Sequence, residues 1–174
     1  MGGLVSVEIS RVIYEKIQKL GLDLEDLVAY SLIRFTSLDP GELARARVEL
    51  AERYLNEARE YLTRGDAVQA SEKLYKAVEE AVKALAEEYN VPEYQQAVKE
   101  GRWFAYLLGR AARTLSVKLN EPRITYAWSI AYDLHIWGFH EGKYGVDYVK
   151  IDIPHVEWLI NYTKQLLYRQ SQAG

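Results

Sequence analysis

The stretch Gly65–Leu85, GDAVQASEKLYKAVEEAVKAL, decides the fold class that this chain is predicted to have. Its apolar residues recur every three or four positions, which is the period of an amphipathic α-helix. Asp66, followed three residues later by Gln69, is typical of a helix N-cap. The apolar stripe is rich in small side chains, which allow a neighbouring helix to approach closely. It consists of Ala70, Leu74, Ala77, Val78, Ala81 and Leu85.

The segment before this stretch predicts a second helix that packs against it. Asp39 is a candidate N-cap, and Pro40 suits the first helical position. The periodic pattern runs to about Arg64, and Gly65 ends it. A connection of about two residues between two helices predicts an antiparallel hairpin.

Further helices are expected downstream, separated by breaks. They cover about 96–117, then Glu121-Pro122 to Gly138, and finally a helix starting near Asp152 or Pro154, with 138–151 irregular. The sequence therefore predicts an all-α fold, an antiparallel bundle of about five helices over residues 39–174.

A short arm over residues 1–38 is predicted to precede the bundle. Residues 5–10, VSVEIS, alternate apolar and polar, so Val5, Val7 and Ile9 would share one face of a β-strand. Two helical stripes follow, up to about residue 35, which makes a β-α-α arm. A lone strand cannot satisfy its own backbone groups, so we expect it to pair with the same strand of a second copy, giving a homodimer.

The order strand, helix, helix resembles the ribbon-helix-helix fold of dimeric DNA-binding proteins. The resemblance implies that outward side chains of the paired strands read bases, here Ser6, Glu8 and Ser10. None of these is a cation, and residues 1–40 carry four Lys or Arg against six Asp or Glu. This charge favours a dimerisation arm and leaves a DNA-binding regulator as an alternative.

Composition excludes several classes of function. The net charge is −3 and cysteine is absent, which excludes disulfides and thiol catalysis and suits a cytoplasmic chain. No apolar run approaches the roughly 20 residues that span a bilayer, and no secretory signal opens the sequence, so no membrane partner is expected.

Two of the three histidines lie in the stretch 133–145, DLHIWGFHEGKYG. One interpretation is a helix end packed into the core. A second is a metal site made by both histidines with Glu141 or Asp133, but the spacing matches no established motif, so neither metal nor cofactor is predicted. A third is a pocket for ligand binding or proton transfer. Its candidate residues are His135, His140, Glu141, Arg110 and Arg113.

A local basic patch covers residues 99–123. It holds six Lys or Arg against two Glu, with Trp103, Phe104 and Tyr106 among them. Cations interleaved with aromatics can bind single-stranded RNA or a nucleotide. The alternative is an amphipathic helix with a solvated basic face and its aromatics in the core.

Gly65–Leu85 together with LHIWGFHEG at 134–142 resembles the archaeal PaREP family, over about residues 40–170. The resemblance implies a bundle similar to HEPN domains, a group that includes ribonuclease toxins, nucleotide-binding partners of nucleotidyltransferases and inactive scaffolds. The loop YGVDY at 144–148 is also HEPN-like.

Catalytic HEPN ribonucleases carry an arginine, four to six residues, and then a histidine on one helix. Here the nearest arginine before any histidine is Arg123, twelve residues before His135. The resemblance therefore favours a non-enzymatic, dimeric interaction or nucleotide/RNA-associated module. The alternative is a metal-independent ribonuclease that acts through His140 and a basic residue of 110–123.

Overall fold

The computed structural model describes residues 5–35 and 40–171, and over these ranges the chain is helical apart from its turns and the segment before residue 11. The predicted all-α class is correct. The helices are α1 (Arg11–Lys19), α2 (Leu24–Phe35), α3 (Pro40–Thr63), α4 (Ala67–Glu88), α5 (Pro92–Glu100), α6 (Ala105–Lys118), α7 (Arg123–Asp133), a π-helix (Leu134–His140) and α8 (Val146–Ser171).

Helix α4 is the centre of the bundle. It forms the predicted antiparallel hairpin with α3 and also packs against α6, α7, the π-helix and α8. The turn places Gly65 at φ +82°, a left-handed conformation that glycine adopts at little cost. Ala70, Ala77 and Ala81 are fully buried, because their small side chains let the surrounding helices come close to the α4 backbone.

The predicted strand at residues 5–10 is wrong. This segment is irregular, and Val5 and Val7 are 84% and 77% exposed. Alternation only decides which face a strand would bury, whereas a strand also needs a neighbour to pair with, and the described ranges supply none. In place of a β-α-α arm, residues 5–35 form an irregular segment followed by two helices. The strand on which the resemblance to ribbon-helix-helix proteins depended is not formed.

The bundle also differs from the predicted set of about five helices. Residues 40–171 form six α-helices and the π-helix. The helix expected at 96–117 is divided into α5 and α6, since Gly101 takes a left-handed φ of +70° at the end of α5. The last helix begins at Val146 and includes Pro154 in its interior. The predicted start near Asp152 or Pro154 is therefore wrong.

Helix α2 is anchored to the bundle by a buried group of charges, which we call the ionic cluster. Arg47 contacts three carboxylates, those of Asp26 at 2.8 Å, Glu80 at 2.8 Å and Glu87 at 2.7 Å. Lys83, fully buried, lies 3.0 Å from Asp26. The members of the cluster are Asp26, Arg47, Glu79, Glu80, Lys83 and Glu87. Four carboxylates thus face two cations, and their like charges repel one another.

Glu87 is the member of this cluster whose protonation bears on stability near neutral pH. Its side chain is fully buried, and burial raises the pKa of its carboxyl to about 7, against the attraction of Arg47. Its Oε2 atom receives no hydrogen bond from the described residues. The folded protein therefore keeps a proton on Glu87 at pH values where the unfolded chain has lost it.

We expect Glu87→Gln to change how stability depends on pH. Between pH 4.5 and about 7 the unfolded chain binds fewer protons at this position than the folded one, so Glu87 lowers the stability as pH rises through this window. Above about pH 7 Glu87 is ionised in both states, so a further rise in pH causes no further loss of stability at this position. Urea titrations at pH 5 and pH 8 measure the free energy of unfolding. Its decrease from pH 5 to pH 8 should be roughly 2–3 kcal/mol smaller in the variant than in the wild type. Equal losses in both proteins would contradict the raised pKa.

Within residues 5–35 and 40–171, no helix combines the length and the apolar character needed to cross a membrane.

Candidate functional site

The site begins with the π-helix that continues α7. Gly138 was predicted to end the helix, yet it lies inside the π-helix, which runs to His140. Gly138 is buried against α4: a Cβ atom added to it would lie 2.7 Å from the Ser71 Cβ atom and closer still to the Ser71 Oγ atom. This glycine therefore serves close packing between two helices and does not stop one of them. Single-turn π-helices are frequent at functional sites.

The π-helix brings His135 onto a carboxylate of α4 and His140 onto His135. His135 Nδ1 lies 2.9 Å from Glu72 Oε2, and His135 Nε2 lies 3.1 Å from His140 Nε2. We call Glu72, His135 and His140 the histidine relay. The His135 side chain is 20% exposed, and His140 is exposed, so the relay runs from a half-buried carboxylate to the surface.

The hydrogen bonds assign a role to each ring nitrogen of the relay. An ionised Glu72 only accepts, so His135 Nδ1 donates and His135 Nε2 is an acceptor when the ring is neutral. His140 Nε2 then donates to His135. This leaves His140 Nδ1 as an acceptor at the surface, which is the arrangement of a general base supported by a second imidazole and a carboxylate.

Aromatic side chains hold the rings in place. The Tyr75 ring stacks on His135 with 4.1 Å between centroids, and Phe139 contacts both histidines at 5.9 Å and 5.0 Å. Burial raises the pKa of the Tyr75 hydroxyl, which keeps it neutral. Tyr132 lies 6.4 Å from the His135 ring and is 42% exposed. The imidazole orientations are therefore set by packing as well as by hydrogen bonds.

Of the five predicted pocket residues, His135 and His140 contact each other. Glu141 is exposed, and its backbone N–H donates to the Ile136 carbonyl. Arg110 lies 3.9 Å from Glu93, and Arg113 donates to the Gly109 carbonyl at 2.7 Å. In the described part of the chain, no hydrogen bond or ion pair joins either arginine to a histidine.

Two residues of the site were missed by sequence reasoning, Glu72 and Tyr75. Both lie on α4, more than 55 residues before the histidines, so no local spacing connects them to the site. The sequence indicated only that both residues belong to the amphipathic stretch that predicted α4, and it gave no sign that they lie beside the histidines.

Asp133, considered above as a metal ligand, has a different partner. Its Oδ2 atom accepts a hydrogen bond from the Tyr144 hydroxyl at 2.6 Å, and this bond raises the pKa of Tyr144 to about 12. Among the residues that the structure describes, no three His, Asp or Glu side chains are grouped to hold a metal ion.

The basic patch is partly neutralised and partly built into the core. Arg123 pairs with Glu121 at 2.7 Å, and Arg102 lies over the Phe104 ring at 4.2 Å. Trp103 is buried, whereas Tyr106 is 57% exposed. The patch therefore presents fewer free cations than its composition suggests, and one of its three aromatic side chains is exposed.

The protein is therefore an all-α bundle centred on α4, and it carries a histidine relay on a π-helix. Its sequence matches the Archaeal PaREP1/PaREP8 family over residues 46–160, and the chain belongs to this family. A crystal structure of a protein from Sulfolobus solfataricus is similar, with 41% sequence identity, coverage of 66% of this chain and 93% of that chain, and a TM-score of 0.61. No curated protein matches the chain.

The family match includes all three relay residues and excludes the first two helices. Residues 46–160 contain Glu72, His135 and His140, while α1 and α2 lie before residue 46. The relay thus lies within the residues that match the family. Asp26, which pairs with Arg47 in the ionic cluster, lies before them.

Proposed function

We propose that this protein is a nucleotide- or RNA-associated module of the HEPN type, and that it binds its ligand at the histidine relay. The observation that carries the proposal is the chain of contacts from Glu72 through His135 to the exposed His140. Imidazole is the side chain that takes up a proton most readily near neutral pH, and in its protonated form it donates a charge-assisted hydrogen bond to a phosphate.

The spacing of the two histidines supports the HEPN comparison. Four residues separate His135 from His140, and four to six separate the arginine from the histidine in HEPN ribonucleases. His135 therefore occupies the position that arginine has in the HEPN pattern. A search for arginine alone overlooks this match, because the residue at that position here is a second histidine.

Exposed aromatic side chains near the relay give a ligand a second kind of contact. Tyr132 and Trp137 are 42% and 47% exposed, and both lie within five residues of a relay histidine. Bases of single-stranded RNA stack on such rings, and each stacked base contributes roughly 1–3 kcal/mol. Phosphate contact at His140 combined with stacking on these rings fits RNA or a nucleotide better than it fits a purely apolar ligand.

We expect His140→Ala to weaken binding of single-stranded RNA by about tenfold or more, the loss of one charge-assisted contact. Fluorescence anisotropy with a labelled oligonucleotide at fixed salt measures the dissociation constant. His155→Ala is the matched control, because His155 is exposed on α8 and makes no contact with the relay. Equal affinities for the wild type and His140→Ala would refute a ligand site at the relay.

A second candidate function is metal-independent ribonuclease activity, favoured by the acceptor nitrogen that the relay leaves on His140. In this reaction a 2′-hydroxyl attacks the adjacent phosphorus and its proton passes to His140 Nδ1. The bond to the 5′-oxygen breaks, and this leaving oxygen takes a proton from water, which gives a 2′,3′-cyclic phosphate and a 5′-hydroxyl. It stays second because, within the described ranges, no lysine or arginine contacts the relay to stabilise the phosphorane. Cleavage of RNA in excess chelator that disappears in His140→Ala would establish it.

We further propose that the protein is a homodimer in which the exposed N-terminal segment takes part without forming a strand. Val5 and Val7 are largely exposed and Ile9 is 38% exposed, and among the residues of the adjoining α1 Ile17 alone is buried. Covering such a surface with a second copy would remove it from water. Light scattering on Val5→Glu/Val7→Glu tests this: a change from dimer to monomer mass supports it, and an unchanged dimer opposes it.

The charges of α2 do not favour the alternative of a DNA-binding regulator. Its first turn carries the exposed Glu25, which opposes a phosphate there.

A further inference from the structure

We propose that His135 and His140 also bind a divalent transition-metal ion such as Zn²⁺ or Ni²⁺ through their Nε2 atoms, and that this ion switches off the relay. Metal binding itself depends on the geometry of the two rings. Only its consequence for RNA rests on the function proposed above.

The separation of the two nitrogens fits a shared ion. Two imidazole nitrogens that bind one ion at about 2.0–2.1 Å lie about 3.0–3.4 Å apart. His135 Nε2 and His140 Nε2 are 3.1 Å apart. The rings meet edge to face, with 76° between their planes and only 4.4 Å between centroids. Both Nε2 atoms therefore lie close enough together to bind one ion in place of the hydrogen bond that now joins them.

One of the two ligands already has the support that metal-binding histidines need. Glu72 accepts from His135 Nδ1 at 2.9 Å, which fixes the tautomer in which His135 Nε2 carries a lone pair for a metal. Tyr75 stacks on the same ring and holds its orientation. A carboxylate that orients a ligating imidazole is the usual outer partner of such histidines.

The chemistry of the ligands selects the class of ion. Two neutral imidazoles suit Zn²⁺, Ni²⁺ and Cu²⁺, whereas Mg²⁺ and Ca²⁺ prefer oxygen. Since no third side chain of the described residues joins the pair, water would complete the coordination. The site would therefore be open and reversible, as a regulatory ion requires, and unlike a closed structural zinc site.

A bound ion would take the place of the proton on His140 Nε2, and this proton would move through solvent to His140 Nδ1. The ion would occupy His135 Nε2 and His140 Nε2, the two atoms that form the last hydrogen bond of the relay. His140 would then be disconnected from Glu72, so its imidazole could no longer exchange a proton along the chain of hydrogen bonds. Metal binding is thus expected to oppose the activity of the relay on RNA.

Titration calorimetry of the intact protein with Zn²⁺ and Ni²⁺, in the absence of RNA, tests the site. We expect one ion per chain for the wild type and for the His155→Ala control, and at least about tenfold weaker binding for His140→Ala. Because His140 is exposed, this variant should fold, which circular dichroism checks. Glu72→Gln, which leaves both ligands in place, should weaken binding by about tenfold. Mg²⁺ should give no heat.

Three outcomes would overturn the proposal. They are the absence of Zn²⁺ and Ni²⁺ binding up to millimolar concentration, binding that persists in His140→Ala, and binding that is lost in His155→Ala. RNA affinity measured in excess chelator separates this proposal from the previous one. RNA binding without metal binding refutes the ion site alone, and metal binding without RNA binding refutes the RNA site alone.

Discussion

Arg47→Met is expected to lower the free energy of unfolding by about 3–5 kcal/mol, the largest effect of any substitution considered. Arg47 is 3% exposed and contacts Asp26, Glu80 and Glu87. Removing the guanidinium leaves these carboxylates buried with Lys83 as their remaining cation. Burying an uncompensated charge costs several kcal/mol, and methionine replaces only the apolar stem.

Arg53→Met is the matched control for this prediction. Arg53 lies on the same helix and also binds a carboxylate, Glu57 at 2.8 Å, but its side chain is 53% exposed. An exposed pair four residues apart on a helix contributes roughly 0.3–0.5 kcal/mol. Urea denaturation of both variants at pH 7 measures the difference. A loss below 1 kcal/mol for Arg47→Met would mean that the ionic cluster is not buried as described.

Gly138→Val is expected to cost about 3 kcal/mol and to disturb the histidine relay as well. A Cβ atom at this position would lie 2.7 Å from the Ser71 Cβ atom, a distance that real Cβ atoms essentially never show. Neither atom belongs to the flexible end of a long side chain, so the π-helix must move away from α4. Both relay histidines lie on this π-helix, and Glu72 lies on α4, so the movement separates them.

Gly145→Val provides the comparison, since a Cβ atom at Gly145 would meet no other atom within 4 Å. Thermal unfolding and RNA affinity should both change in Gly138→Val and stay close to wild type in Gly145→Val. Ser71→Gly in the Gly138→Val background removes the nearest atoms and should restore part of the stability. If Gly138→Val were as stable as Gly145→Val, the close approach of the π-helix to α4 would be disproved.

Local signals in the sequence were sufficient to predict the central hairpin. Gly65 and the Asp66 cap mark the turn between α3 and α4, and Asp66 does accept a hydrogen bond from the Gln69 backbone at 2.9 Å. Both features depend on residues within a few positions of each other, which is the range over which sequence patterns are informative.

The remaining features depend on contacts that the sequence does not display. Arg47 and Lys83 resemble surface residues in a sequence, yet carboxylates from distant positions allow both to be buried. Gly138 resembles a helix stop, but its role is set by Ser71 on another helix. The strand at 5–10 failed for the opposite reason, since its alternation was genuine and no partner strand was present in the described ranges.

The most direct test of the proposed site is a double-mutant cycle on RNA affinity with Glu72→Gln, His140→Ala and the double variant. If Glu72 acts through His135 on His140, the effects are not additive, and Glu72→Gln weakens binding in the wild-type background but has almost no effect once His140 is alanine. Additive losses, or affinity unchanged in all three variants, would contradict a relay that serves one ligand site.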